Sequence, residues 1–295
     1  MPDQGHRSPR RPDRDHAGAP DLSVRPKQRA AAIAGLALLL ATGAEACDYP
    51  AGPPDAGAAH HAGPGIVWAA YSDQTTRYAH GVLGDAVEAG TLRARTVSRD
   101  GETTGPCETA FTLPRHRVFE DITPRLADVT GDGLSDAIVI ESDIAKGAQL
   151  AIYGLRDGAL AKIAATPFIG RANRWLAPAG IADFDGDGVL DVAYVETPHI
   201  GGTLRLWSFA GGEAREIAAR PGYSNHRIGE NWISGGLRDC GDGAEGGPEI
   251  VLANASWSGT HIARLGGNGI EDIIFATNAR PETLEAALAC QPTAR

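Results

Sequence analysis

The sequence predicts an all-β protein: a small β-propeller of about four blades, with five as the alternative count, each of four antiparallel strands, and a short C-terminal helix. Three observations predict it. An acidic segment recurs along the chain, short runs of β-branched and aromatic residues follow each copy, and Gly-rich turns separate those runs.

The repeat comes first, because self-similarity fixes the unit of the fold. Leu126-Ala-Asp128-Val-Thr-Gly-Asp-Gly133, Ile181-Ala-Asp183-Phe-Asp-Gly-Asp-Gly188 and Leu237-Arg-Asp239-Cys-Gly-Asp-Gly243 align, and Leu83-Gly-Asp85 is a degenerate earlier copy. An arginine precedes each lead aspartate: Arg77, Arg117, Arg174 and Arg227. Two markers in the same order, four times over, define a repeated unit.

Each unit reads as strands. Ala137–Ile140, Val192–Val195 and Ile250–Leu252 follow the acidic segments, and Gln149–Tyr153 and Thr203–Trp207 come next. Turns at Asp157-Gly158 and Gly211-Gly212 lead into further strands over 159–164 and 213–218. Helical spacing is confined to Pro281–Ala289, where Pro stands at the first position and Leu284 and Leu288 share a face. The four arginines hold equivalent places, so they either line one end of an axial channel as an anion pocket or join blades by pairing with carboxylates and carbonyls. The second reading is the preferred one.

The acidic segments carry the chemistry. Asp183-Phe-Asp185-Gly-Asp187-Gly188-Val189-Leu-Asp191 puts carboxylates at positions 1, 3, 5 and 9, with glycine at position 6 where the chain turns sharply. Calcium takes six to eight hard oxygens at about 2.3–2.6 Å, and without a cation these carboxylates repel one another. The expected ligands are Asp183, Asp185, Asp187, the Val189 carbonyl and Asp191. Asp128-Val-Thr130-Gly-Asp132-Gly-Leu134-Ser-Asp136 offers Asp128, Thr130, Asp132, the Leu134 carbonyl and Asp136, a weaker set with one carboxylate fewer. The Asp239 copy has lost the spacing and is not expected to bind. An EF-hand is excluded, because position 12 is Tyr194 or Val139 in a strand instead of a bidentate glutamate before a helix.

The Asp-x-Asp-x-Asp-Gly-x-x-Asp loop opening into an apolar strand resembles the FG-GAP/VCBS repeat of integrin-like propellers and secreted bacterial proteins. The resemblance is specific at 183–195, good at 128–140, and skeletal at 239–252 and 77–97. It implies a propeller fold, the two ligand sets just named and Ca²⁺, but hardly any particular activity.

The flanks set the compartment. Residues 1–29 have almost nothing to bury and read as a disordered basic leader. Ala30–Thr42 is apolar, follows Lys27 and Arg29, and ends at Ala44-Glu45-Ala46, the pattern of a cleavable signal peptide; a membrane anchor would need about 20 apolar residues. The domains are therefore leader and signal at 1–46, a Pro/Gly/Ala linker at 47–65, the repeat domain at 66–290 and a tail at 291–295. Export to the periplasm or beyond the cell follows, with lipid anchoring at Cys47 disfavoured by Ala44 and Glu45. Four cysteines suit an oxidising compartment. Cys240 with Cys290 is the expected pair, pinning the C-terminus to the last unit and leaving Cys47 and Cys107 as the other.

Beyond Ala46 the chain carries 20 Lys and Arg against 32 Asp and Glu. That balance excludes nucleic acid and anionic membranes as partners and suits cations. No membrane span remains after signal cleavage, and the expected state is a monomer with a protein or carbohydrate ligand.

For catalysis the sequence offers little. It has no G-x-S-x-G elbow and no H-E-x-x-H motif. Ser224, His226 and Glu230 cluster locally, and His80, His116, His199 and His261 are scattered without ligand spacing. No catalytic residue is assigned. A calcium-stabilised binding or structural module is the first reading and a secreted hydrolase or lyase, working at the channel mouth, the alternative. A cleft holding a perturbed histidine beside a carboxylate would favour the alternative.

Overall fold

The structure is a computed structural model and describes residues 57–100, 108–240 and 247–292. The signal segment, Cys47, Cys107 and the remainder of the Asp239 loop lie outside the described residues. No helix among the described residues is long and apolar enough to cross a membrane.

The fold is mostly β, in antiparallel sheets. The first holds β1 (Ala59–His60), β2 (Gly65–Thr75), β3 (Glu88–Val97), β4 (Thr109–Thr112), β5 (Arg117–Phe119), β6 (Arg125–Ala127), β7 (Asp136–Asp143), β8 (Gly147–Arg156) and β9 (Ala159–Ala165). Its order is β1-β2-β3-β5-β7-β8-β9, with β4 on β3 and β6 on β7. Only the pair Ala89 and Phe119 joins β3 to β5, so this sheet divides into two lobes, β1–β4 and β5–β9, which an isolated bridge between Gly65 and Ser135 also links. The second sheet runs β10 (Leu176–Ala182), β11 (Asp191–Glu196), β12 (Thr203–Ser208), β13 (Arg215–Pro221). The third holds β14 (Tyr223–Ser224), β15 (Gly236–Arg238), β16 (Glu249–Asn254), β17 (Thr260–Gly266) and β18 (Gly269–Ala276), followed by α1 (Pro281–Leu288). β1 falls in the segment read as linker; it is ordered by pairing Ala59 with Ala69 and His60 with Trp68.

Packing follows the period of two along each strand. Every residue of β7 is buried. Ala137 and Val139 turn to one side, with Ala151 and Tyr153, and pack against Ile66, Leu92 and Phe119. Ile138 and Ile140 turn to the other, with Leu150 and Ile152, and pack against Leu176, Val192 and Tyr194. The second sheet repeats this, its Ala193, Val195, Leu204 and Leu206 meeting Ile250, Leu252 and Ala263. On its other face the third sheet puts Val251 and Ile262 against Leu284 and Ala287 of α1. A strand buried on both faces must be apolar throughout, which is why these strands read as unbroken runs.

The helix is the one expected, with Pro281 at its start. The Cys240–Cys290 bond is present, with Cα atoms 5.5 Å apart. Arg238 Nη1 also donates to Ala287 O at 3.2 Å, tying β15 to the same helix.

Candidate functional site

The two acidic loops adopt one conformation. Asp183 accepts from Gly186 N and Asp187 N at Oδ1 (2.7 and 3.1 Å) and from Gly188 N at Oδ2 (3.0 Å). Asp128 accepts from Gly131 N and Asp132 N at Oδ1 (2.8 and 3.2 Å) and from Gly133 N at Oδ2 (2.7 Å). Asp187 and Asp132 each accept from the amide two residues on, at 2.8 Å. The lead carboxylate thus curls the loop around itself. Gly188 and Gly133 take φ of +87° and +79°, a conformation costly for any residue with a Cβ.

The loops differ where the sequence says they should. Carboxylate oxygens of Asp183, Asp185 and Asp187 lie within 4.8 Å of one another, and among the described residues no other set of three acidic, His or Cys ligands does so. That separation fits oxygens sharing one calcium shell. Asp191 is fully buried, and its Oδ1 has no hydrogen-bond partner while Oδ2 accepts from Phe184 N at 3.1 Å. A buried, unpaired carboxylate oxygen is costly, and burial with the charges of Asp185 and Asp187 holds Asp191 up at about 6. These donors fit a hard cation. Arg215 Nη2 is the only cation paired with them among the described residues, on Asp185 at 3.1 Å. In the first loop, Thr130 is buried and its hydroxyl bonds to Asp136, which Val129 N and Thr130 N also hold at 3.2 Å. Asp136 is therefore satisfied within the protein where Asp191 is not. The loops touch: a Cβ on Gly131 would stand 3.0 Å from Val189 Cγ2.

The arginine markers mostly join elements. Arg77 Nε donates to Arg117 O at 2.9 Å, and Arg117 pairs with Asp143 at 3.4 Å and Glu141 at 3.7 Å. Arg227 lies over the Trp257 ring, 4.1 Å from its centre. Arg174 differs: it donates to Asn173 O at 2.9 Å and has no carboxylate partner among the described residues.

A second site lies at the other end of the strands and corrects the reading of scattered histidines. The acidic loops lead into the N-terminal ends of β7 and β11. Loops at the opposite ends bring His80, His199 and His226 together, although 27 to 146 residues separate them. A cavity of about 340 Å³ is lined by His80, His199, Arg174, Trp175, Val82 and Ile228, among others. His80 Nδ1 lies 2.5 Å from Oε1 of the fully buried Glu120, whose Oε2 accepts from Ser142 Oγ. His199 Nε2 bonds His226 Nδ1 at 2.8 Å, and His226 Nε2 bonds Glu230 O at 2.8 Å. Trp175 stacks on His199 with centres 6.3 Å apart and donates from Nε1 to Glu120 O at 2.8 Å. Two of the histidines named from the sequence stay apart, His116 beside Asp143 at 3.8 Å and His261 beside Asp272 at 2.9 Å.

Ser224, His226 and Glu230 do not form a triad. Ser224 Oγ donates to Pro198 O at 2.9 Å and accepts from Trp257 Nε1 at 3.1 Å, and His226 meets the Glu230 backbone, not its carboxylate. All three partners hold loops in place.

Sheets packed face to face, two of them entered through a curled aspartate loop, define a repeat-built antiparallel β protein. Residues 128–194 match the family model of the FG-GAP-like repeat, and over this span the chain carries that repeat. No curated protein matches the chain.

Proposed function

We propose that this is an exported calcium-binding module, a four-bladed propeller built on FG-GAP-like repeats, acting in binding or as a structural unit. The observation that carries it is the Asp183, Asp185 and Asp187 cluster beside the unpaired Oδ1 of Asp191. Asp183, Asp185, Asp187 and Asp191, with the Val189 carbonyl, would hold the ion; Asp128, Thr130, Asp132, Leu134 and Asp136 would form a weaker second site. Bound calcium would neutralise the crowded carboxylates and so fix where β10, β11 and the adjoining first loop meet. The four packed lobes support the blade count. So does the contact between their ends, where Gly229 N donates to Val82 O at 3.0 Å. Export rests on the apolar segment before Ala46, and the Cys240–Cys290 bond fits an oxidising periplasm or extracellular space.

Thermal unfolding of the purified protein tests the metal. A native-state ligand at about 100 times its dissociation constant adds about 2.7 kcal/mol, so EDTA should lower Tm by about 5–10 °C. Asp187→Ala should abolish that response and Thr130→Ala should leave most of it. An unchanged Tm in EDTA sinks the proposal. N-terminal sequencing of the exported chain should begin at Cys47.

A further inference from the structure

The histidine cavity stands at the far end of β7 and β11 from the acidic loops. The six residues of β11 alone span about 20 Å at 3.3–3.4 Å per residue, so calcium chemistry does not reach it. Its hydrogen-bond polarity can be worked out atom by atom. Glu230 O can only accept, so His226 Nε2 carries the proton and its Nδ1 is the acceptor. His199 must then donate from Nε2, which leaves a lone pair on His199 Nδ1. Burial and the neighbouring imidazoles of His226 and His80 pull His199 down to about 4, so it stays neutral. His80 Nδ1 is taken up by Oε1 of Glu120 at 2.5 Å, which leaves its Nε2 as the ring nitrogen free to meet a ligand. The cavity is therefore edged by the His199 imidazole as an acceptor, by the His80 imidazole and by Arg174, a fixed cation without a carboxylate partner among the described residues. Val82, Ile228 and Trp175 supply an apolar wall.

We propose that this cavity is a second ligand site, taking a small hydroxylated carboxylate of the sugar-acid class. Each part of such a ligand answers one part of the wall. Its carboxylate meets the Arg174 guanidinium, its hydroxyls pair with the imidazole nitrogens, and the C–H face of its ring lies on the apolar side. The volume, about 340 Å³, falls at the lower end of small-molecule sites and suits one sugar ring or two. A neutral sugar would leave Arg174 unanswered, and a simple carboxylate such as acetate would leave the imidazoles unanswered. The proposal is independent of the calcium reading.

Calorimetric titration of the whole protein with D-glucuronate and D-galacturonate, in EDTA and again in calcium, tests it, with glucose and acetate as controls. Saturable binding of at least one of the two acids in both buffers is expected, with the controls at least about tenfold weaker. Arg174→Ala and His80→Ala should each weaken binding about tenfold or more, while Arg171→Ala, an exposed neighbour outside the lining, should not. Arg174→Lys, which keeps the charge, guards against a folding defect and should retain binding within severalfold. Binding of neither acid overturns the proposal. So does binding that needs calcium, which would place the ligand at the aspartate loops, or binding that survives both alanine substitutions.

Discussion

His199 Nε2 donates to His226 Nδ1 at 2.8 Å, joining the loop after β11 to the loop after β14 across a sheet boundary. Burial holds both imidazoles below their usual range, His199 at about 4. The His80 imidazole also opposes protonation of His199, while Glu230 favours that of His226. In the unfolded chain a histidine titrates near 6.5. A base whose folded pKa is depressed contributes stability that is complete above about pH 6.5 and is lost as pH falls toward 4. Ring nitrogen resonances should show His199 neutral at pH 6, and His199→Gln should flatten the stability profile between pH 6.5 and 4. A His199 inflection at or above 6.5 contradicts the packing described.

Glu88 predicts the opposite slope. It is buried beside Glu120, Asp85 and Asp121, and burial first, then those charges, push it up to about 9. The folded protein keeps a proton there that the unfolded chain releases above about pH 4.5. This contribution is complete below that pH and is lost as pH rises toward 9. Glu88→Gln should therefore raise Tm at pH 8 and leave it nearly unchanged at pH 4.5. Denaturation at the two pH values checks this, and equal shifts at both count against a protonated Glu88.

The acidic loops, their strands and α1 were legible because local signals specify them. Asp183 curls its own loop, Gly188 supplies the positive φ, and Pro281 starts the helix. The Cys240–Cys290 pair was legible because the chain end needed a tether. The histidine cavity was not, since His80, His199 and His226 come from three separated loops that meet only after the sheets stack. The arginine markers were the available clue, since one of them, Arg174, stands in the cavity wall. Nor could the pattern show that α1 covers the outer face of the third sheet. An apolar face at Val251 and Ile262 reads alike whether a helix or another blade meets it.

Gly202 tests how tightly the second and third sheets are joined. Its carbonyl accepts from Gly222 N at 2.8 Å and Tyr223 N at 3.2 Å, and a Cβ there would stand 1.6 Å from Tyr223 O. Backbone cannot yield that far without breaking the junction. Gly202→Ala should cost about 3 kcal/mol or more. Its neighbour Gly201, at φ +73° with open space around it, should cost only about 1 kcal/mol as alanine, from backbone strain alone. Urea denaturation of the two variants should separate them clearly; similar losses would mean the junction relaxes.

The Cys240–Cys290 bond closes a loop with a sequence separation of 50 and holds α1 against β16 and β17. In the chain-entropy account, a loop of this length is worth about 4 kcal/mol, through restriction of the unfolded chain. α1 is only eight residues long and would be marginal alone, so its stability comes from Leu284, Ala287 and this tether. Cys240→Ser paired with Cys290→Ser should lower Tm by about 10 °C. Amide exchange should quicken first in 281–288 and on β16, before the β7–β8 core responds. The Arg238 donation to Ala287 O remains in that variant, so the helix should stay docked at low temperature. If exchange rises uniformly through all the sheets instead, the bond acts on the whole domain and the helix is not the separable lid that its packing implies.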